Sequence, residues 1–313
     1  MCIRDRYQAY FTVAPNMGYD ICSQRISESD KLGLDLSSLR KALNGAELVQ
    51  PNTLQRFTDA FTDCGFSKDA WYVCYGLAEA TLLVSGENYR PNSNHPTSKR
   101  VRCGRVIGEQ RVMIVEPKTH RPLDDGSIGE IWIQGPSCAI GYWNNLSATE
   151  EIFHASPADT SQGHWLRTGD LGFLQAEHLT LTGRLKEIII VAGQNHAPAD
   201  IESSAVDNHP HLGRAAAFAL QNDGPETLVI VVELTREMTR LHRKDFGTID
   251  ESALVRWVIR SVTEDHGIKP ADVLVCPQGA IPRTPNGKLQ RLACKEAYLN
   301  ANLKTVSQSH PDD

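Results

Sequence analysis

Short apolar runs that suit β-strands alternate along this chain with amphipathic helical segments, and this alternation predicts a mixed α/β (α+β) protein. The segment PNTLQRFTDAFTDCG carries a proline in its first turn and a glycine at its end, as helices often do. Its apolar residues Leu54, Phe57 and Phe61 fall on one helical face. The run WYVCYG that follows predicts a short buried strand ending in a glycine turn.

The pattern of strands and helices changes about three fifths of the way along the chain. The first part has four further predicted strands, in EQRVMIVEP, GEIWIQG, HLTLTG and KEIIIVAG, the last two on either side of a turn at Gly183-Arg184. The remainder alternates helices and strands, in PADIESSAVDNHP, AAAFAL, LVIVVEL, DESALVRWVIRSVTEDHG and DVLVC. We therefore expect a domain boundary near Gly183 to Lys186, with a strand-rich body in residues 1–183 and a small module in residues 184–313.

Composition excludes several classes of protein. The net charge of −6 and the pI of about 6.0 favour neither nucleic acid nor an anionic membrane surface as a partner. The 8 cysteines are scattered, without a C-x-x-C pair, which is typical of reduced thiols in a cytoplasmic protein. No apolar run approaches the roughly 20 residues that a membrane helix requires, so we expect no stable membrane insertion.

Two stretches in the first part carry candidate ligand-binding residues. NGAE, residues 44–47, has small side chains that would let a flat ligand approach the backbone, although most Asn-Gly pairs are simple turns. YGLAEAT begins where a buried strand ends, which is where ligands bind in open α/β sheets. There Tyr75 could stack on a base, and Glu79 could hold Mg2+ through oxygen; the alternative is a strand end with a solvated glutamate.

Three later stretches carry charged side chains. RTGDLG sets Asp170 in a glycine-flanked turn, where its carboxylate could accept hydroxyl groups or could serve only its own backbone. In GRLKEIII, Arg184 has several hydrogen-bond donors that could reach a ribose or a phosphate. The alternative is that it is an exposed polar residue at the start of a strand. In IPRTPNGKLQR, Lys288 follows a turn stiffened by two prolines, and a held ammonium group can offset the charge of a phosphate transition state.

In this order and spacing, the motifs resemble those of the adenylate-forming superfamily of acyl-CoA synthetases, peptide-synthetase adenylation domains and luciferases, from about Arg6 to Leu299. Within it, APNMGYDIC, LDLSSLRKALNGAE, YGLAEATLLVSG, GQNHAPADIE and GKLQRLACKEAYL are similar to signatures of the fatty acyl-AMP ligases. The resemblance implies that a fatty acid is activated with ATP and Mg2+ to an acyl-adenylate. The acyl group then passes to the phosphopantetheine thiol of an acyl carrier protein, typically in polyketide or lipopeptide assembly.

The resemblance also implies a fold and a set of site residues. The fold is a large domain, represented here by its C-terminal part, followed by a small mobile C-terminal domain. Four residues would frame the adenine: Gly45, Ala46, Glu47 and Tyr75. Gly76 is also implied to bind the nucleotide.

The remaining implied roles fall on five charged residues. Asp170 and Arg184 would hold the ribose, and Glu79 would coordinate Mg2+ at the phosphates. Lys186 falls at the hinge position, about which the small domain swings between half-reactions. Lys288 would be the catalytic lysine, bridging the fatty carboxylate and the α-phosphate as they react.

Two departures from the family pattern leave alternatives open. No Ser/Thr/Gly-rich phosphate loop precedes these motifs, so we expect the chain to be a fragment that adenylates poorly alone. Only 15 residues separate Glu87 from Cys103, where fatty acyl-AMP ligases usually carry a longer insertion associated with exclusion of CoA. A fatty acyl-CoA ligase is therefore one alternative, and a non-catalytic adenylate-binding scaffold is another.

Overall fold

The computed structural model describes residues 6–90, 100–158, 163–191, 193–207, 209–221, 226–245, 249–285 and 287–308. The chain divides into two compact units, Met1–Leu185 and Lys186–Asp313. Both contain helices and strands, so the expected mixed α/β class is confirmed. In the described part of the chain, no helix combines the length and the apolar character that crossing a membrane demands.

The first unit is built on a nine-stranded sheet. Its strands are β1 (Phe11–Ala14), β2 (Lys41–Asn44), β3 (Trp71–Tyr75), β4 (Ser85–Asn88), β5 (Arg102–Val106), β6 (Arg111–Val115), β7 (Gly129–Gln134), β8 (Leu166–Gln175) and β9 (His178–Arg184). They lie in the order β1-β2-β3-β4-β5-β9-β8-β7-β6. The first three are parallel and the remaining pairs are antiparallel.

The described residues of this unit include the helices α1 (Asn16–Arg25), α2 (Glu28–Lys31), α3 (Pro51–Phe61) and α4 (Leu146–Phe153). Helix α3 is the one predicted from the periodicity of its apolar residues. Its Phe57 ring meets the rings of Tyr19 and Trp71 edge to face, with centroids 5.1 and 5.5 Å apart. Such aromatic pairs stabilise a core beyond their buried area, and here they fix α1 and α3 against the parallel strands.

The second unit contains a two-stranded ribbon, β10 (Ile189–Val191) and β11 (Gln194–His196), and a three-stranded sheet, β12 (Leu212–Leu220), β13 (Thr227–Leu234) and β14 (Asp272–Cys276). Its helices are α5 (Pro198–Val206), α6 (Arg236–Lys244), α7 (Glu251–His266) and α8 (Arg291–Leu299). Alternate residues of β13 enter two different apolar clusters: Ile230 and Val232 in one, Val229 and Val231 in the other. Both faces of this sheet are therefore buried, which explains the unbroken apolar runs in its sequence.

The predicted turn at Gly183-Arg184 is wrong. Strand β9 continues through Arg184, because this residue pairs with Asp170 of β8 across the antiparallel ladder. A short helical turn, Leu185–Glu187, follows the strand. The change from one compact unit to the other falls within that turn, after Leu185.

Candidate nucleotide site and lysine turn

Two loops leave the sheet side by side at the carboxyl ends of β2 and β3. The strands are parallel, with Asn44 opposite Val73, so the segments that follow them emerge at the same edge. Gly45 lies so close to the neighbouring strand that a Cβ atom would come within 2.8 Å of the Cys74 carbonyl oxygen and Sγ. The next residue, Ala46, has a φ of 67°. Gly45 therefore lets this loop pack directly against the end of β3.

A buried asparagine pair holds the loop after β2. The Asn44 side-chain amide donates to Asn16 Oδ1 at 3.0 Å, and the Asn16 amide donates to the Leu48 carbonyl oxygen at 2.8 Å. Asn16 Oδ1 also accepts from the Gln50 backbone N–H. Sequence reasoning missed Asn16; its only signal was a polar residue at the start of a helix that packs into the core.

Gly76 allows the closest approach of two backbone segments at this edge. A Cβ atom at this position would lie 1.3 Å from the Leu82 carbonyl oxygen, so the loop after β3 folds back onto its own beginning. The turn that carries Glu79 depends on this approach.

We expect Gly76→Ala to destabilise the protein by at least about 1–3 kcal/mol, since overpacking forces the backbone to shift. The matched control is Gly213→Ala, where the nearest atom to the added Cβ is 3.5 Å away. Urea unfolding followed by circular dichroism measures both. Equal midpoints for the two variants would contradict the close approach.

Tyr75, Asp170 and Arg184 form a hydrogen-bonded chain. The Tyr75 hydroxyl donates to Asp170 Oδ2 at 2.9 Å, and Arg184 Nε donates to Asp170 Oδ1 at 3.0 Å. Burial, followed by the Asp170 charge, raises the pKa of Tyr75 well above its ordinary value, so the phenol stays a donor. Tyr75 is only 4% exposed, and its stacking on a base stays a prediction.

The predicted turn at Asp170 is also wrong, because this residue lies within strand β8. Gly169 before it has a φ of 68°, and the register with β9 shifts just after it, between Leu171 and Gly172. The buried Glu130 carboxylate accepts the Gly169 backbone N–H at 3.1 Å and pairs with Arg167 at 3.0 Å. The glycines therefore mark a distorted strand, which aims a carboxylate at Tyr75 and Arg184.

Glu79 sits half-buried in the helical turn Ala78–Ala80. Its Oε1 accepts the Tyr142 hydroxyl at 2.7 Å, and its backbone carbonyl oxygen accepts the Ala139 N–H at 2.8 Å. Burial and this hydrogen bond raise the pKa of Tyr142 to about 12. Proteins hold Mg2+ through one or two carboxylates together with substrate phosphates, and an oxygen-only donor such as Glu79 fits that use. The described residues contain no cluster of three or more His, Cys, Asp or Glu side chains suited to a metal ion.

Lys288 lies in the second unit, in a turn that is closed by Thr284. The Thr284 N–H donates to the Lys288 carbonyl oxygen at 2.9 Å, and the Lys288 N–H donates to Thr284 Oγ1 at 3.1 Å. Arg283 at the start of the turn donates to the buried Glu233 carboxylate at 2.7 Å. The sequence indicated stiffness from the prolines, but Thr284 and the Arg283–Glu233 pair supply contacts that it did not reveal.

The structure groups the predicted site residues by unit. In the first unit, the loops after β2 and β3 carry Gly45, Ala46, Glu47, Tyr75, Gly76 and Glu79, while β8 and β9 carry Asp170 and Arg184. In the second unit, Lys186 is exposed in the turn Leu185–Glu187, and Lys288 is partly buried.

Two family models match parts of this chain. Residues 3–143 match the AMP-binding enzyme family, and residues 186–308 match the AMP domain of the Disco-interacting protein 2-like family. The chain is 38% identical to the medium-chain-fatty-acid–[acyl-carrier-protein] ligase JamA of Moorena producens, over 95% of this chain and 53% of JamA.

Two solved structures share the fold. The fatty acid AMP ligase of Legionella pneumophila is 36% identical, with a TM-score of 0.57, over 97% of this chain and 55% of that one. McyG A-PCP with phenylalanyl-adenylate is 25% identical, with a TM-score of 0.77, over 98% of this chain and 53% of that one.

These matches place the chain among the adenylate-forming, AMP-binding enzymes. The chain is similar over most of its length to proteins named as fatty-acid ligases, among them JamA and the Legionella pneumophila enzyme. The chain spans about half the length of the relatives it matches.

Proposed function

We propose that the protein containing this chain activates a fatty acid with ATP and passes the acyl group to the phosphopantetheine thiol of an acyl carrier protein. The observation that carries the proposal is the Tyr75–Asp170–Arg184 chain beside two loops whose glycines allow close backbone approach. A nucleoside needs a carboxylate for its hydroxyl groups, and Asp170 would supply one beside these loops. The likeness to JamA supports the fatty acid and the carrier protein.

In the first half-reaction, a carboxylate oxygen of the fatty acid attacks the α-phosphorus of ATP, and the bond to pyrophosphate breaks. Asp170 would accept the ribose hydroxyl groups while it shares its oxygens with Tyr75 and Arg184. The Lys288 ammonium group would offset the negative charge that develops between the two reactants. Glu79 would hold Mg2+, which neutralises phosphate charge when bound.

In the second half-reaction, a thiolate attacks the acyl carbon and the bond to AMP breaks. The turn Leu185–Glu187, with Lys186 as its hinge residue, would let the second unit change position between the two half-reactions. The thiol of CoA is the alternative acceptor, favoured by the short segment between Glu87 and Cys103. Residues 91–99 of that segment lie outside the described residues.

The acceptor is tested with the complete reading frame of the gene, including any coding sequence upstream of Met1. The protein is incubated with labelled lauric acid, ATP and Mg2+, and then with CoA or with a phosphopantetheinylated carrier protein. We expect acyl-adenylate first and acyl-carrier second, with no product when ATP is omitted. Acyl-CoA as the main product would make the protein a fatty acyl-CoA ligase. Absence of acyl-adenylate at every chain length would favour the scaffold alternative.

A further inference from the structure

Arg291 joins three separate segments of the second unit. It begins helix α8, three residues after Lys288. Its Nε and Nη2 atoms each donate to one oxygen of Glu202 in helix α5, both at 2.7 Å. Its Nη1 atom donates to Glu187 Oε2, also at 2.7 Å. A planar guanidinium matches this fork geometry, which a lysine would not reproduce.

The network is largely withdrawn from solvent. The side chains of Arg291, Glu202 and Glu187 are 18%, 11% and 26% exposed. Burial alone would lower the pKa of Arg291, but the two carboxylates raise it above its ordinary value. Glu202 also accepts the backbone N–H of Ala217 in β12 at 3.0 Å. Arg291 is therefore fixed to the sheet of this unit through Glu202, and only its third bond reaches Glu187.

The bond from Arg291 to Glu187 connects the lysine turn to the segment that follows Lys186. Glu187 directly follows Lys186, the first residue of the second unit. Gln290, next to Arg291, donates its backbone N–H to the Pro282 carbonyl oxygen, which closes the base of the lysine turn. Arg283 anchors the other arm of that turn to Glu233. A buried ion pair thus holds each arm of the turn, and the Arg291 pair alone extends to the segment after Lys186.

We propose that Arg291 is a positioning residue for Lys288, through a clamp with Glu187 that fixes the lysine turn to the segment just past the hinge. The inference rests on the proposed function, because the role of Lys288 comes from it. With this clamp in place, the lysine turn would keep one orientation relative to the hinge segment when the second unit rotates about Lys186. Misplacement of a catalytic group by about 1 Å can cost about 100-fold in rate.

Glu187→Ala separates positioning from stability. It removes the bond to the hinge segment and leaves the bidentate Arg291–Glu202 pair in place. We expect a rate of acyl-adenylate formation about 10- to 100-fold lower, an unchanged KM for ATP and a small change in the unfolding midpoint. Glu187→Gln retains an oxygen for Arg291 Nη1 and should recover most of the rate.

The matched control is Glu226→Ala. Glu226 lines the same cleft as Glu187 and accepts the Ile190 N–H at 3.1 Å, whereas Arg291 donates to Glu187 and Glu202. We expect this variant to keep the wild-type rate. Equal rates for Glu187→Ala and wild type, or equal losses in the Glu187 and Glu226 variants, would overturn the clamp.

Hydrogen exchange on this chain gives a readout that does not need activity. The amides of Thr284, Gly287 and Lys288 are bonded within the lysine turn. We expect them to exchange several-fold faster in Glu187→Ala and unchanged in Glu226→Ala. Unchanged exchange in both variants would count against the clamp even in an active enzyme. An inactive wild type with the expected exchange would instead leave the clamp standing and remove the proposed reaction.

Discussion

Lys288→Ala is expected to slow acyl-adenylate formation by about 10²–10³-fold, the usual loss when one preorganised donor to a transition-state charge is removed. The Lys288 backbone lies in a turn closed by two hydrogen bonds with Thr284 and held by Arg283, so the base of its side chain is fixed before the substrate arrives. Because the group acts on developing charge, the loss should fall on kcat and leave the KM for ATP nearly unchanged. Single-turnover formation of labelled acyl-adenylate measures the effect.

The control for this variant is Lys269→Ala, an exposed lysine of the same unit. It should keep the wild-type rate and the wild-type unfolding midpoint. A Lys288→Ala enzyme that forms acyl-adenylate at the rate of this control would remove the lysine from the mechanism.

Asp170→Ala should both weaken ATP binding and destabilise the first unit. Hydrogen bonds to a charged group contribute about 1.5–3 kcal/mol each, so losing the acceptor of the ribose hydroxyls should raise the KM for ATP by about 10- to 100-fold. The variant also leaves the buried Tyr75 hydroxyl without its described acceptor, at a cost of about 1–3 kcal/mol. Steady-state kinetics and urea unfolding measure the two effects independently.

Tyr75→Phe is the matched control, because it removes the phenol donor and keeps the Asp170 carboxylate. We expect its KM for ATP to rise far less than that of Asp170→Ala. If Asp170→Ala binds ATP as tightly as wild type while losing stability, Asp170 has a structural role only.

Local sequence patterns predicted those helices and strands in which the tertiary contacts agree with the local preference. Helix α3 follows from its apolar periodicity and its proline start, and strand β3 follows from its apolar run and the glycine after it. The structure contains both. The same kind of local signal failed at Asp170, where flanking glycines indicate a turn. There, pairing with strand β9 overrides the local preference, and the glycines serve a distorted strand instead.

The partners of the candidate site residues were beyond sequence reasoning. Tyr75 and Asp170 are 95 residues apart, and Glu79 and Tyr142 are 63 apart. No spacing rule joins residues at such distances, since only the pairing of strands and the path of loops brings them together. Arg291 belongs to the same motif as Lys288, yet its hydrogen-bond partners Glu202 and Glu187 lie 89 and 104 residues away in the sequence.

The most direct test of the central claim is the exchange of labelled pyrophosphate into ATP, which reports reversible adenylate formation without any acceptor. It uses the complete reading frame, a series of fatty acids and a Lys288→Ala comparison. We predict exchange that requires both a fatty acid and Mg2+ and that falls to the background in the variant. Exchange independent of fatty acid, or no exchange with any chain length, would contradict the proposed activation of a fatty acid as its adenylate.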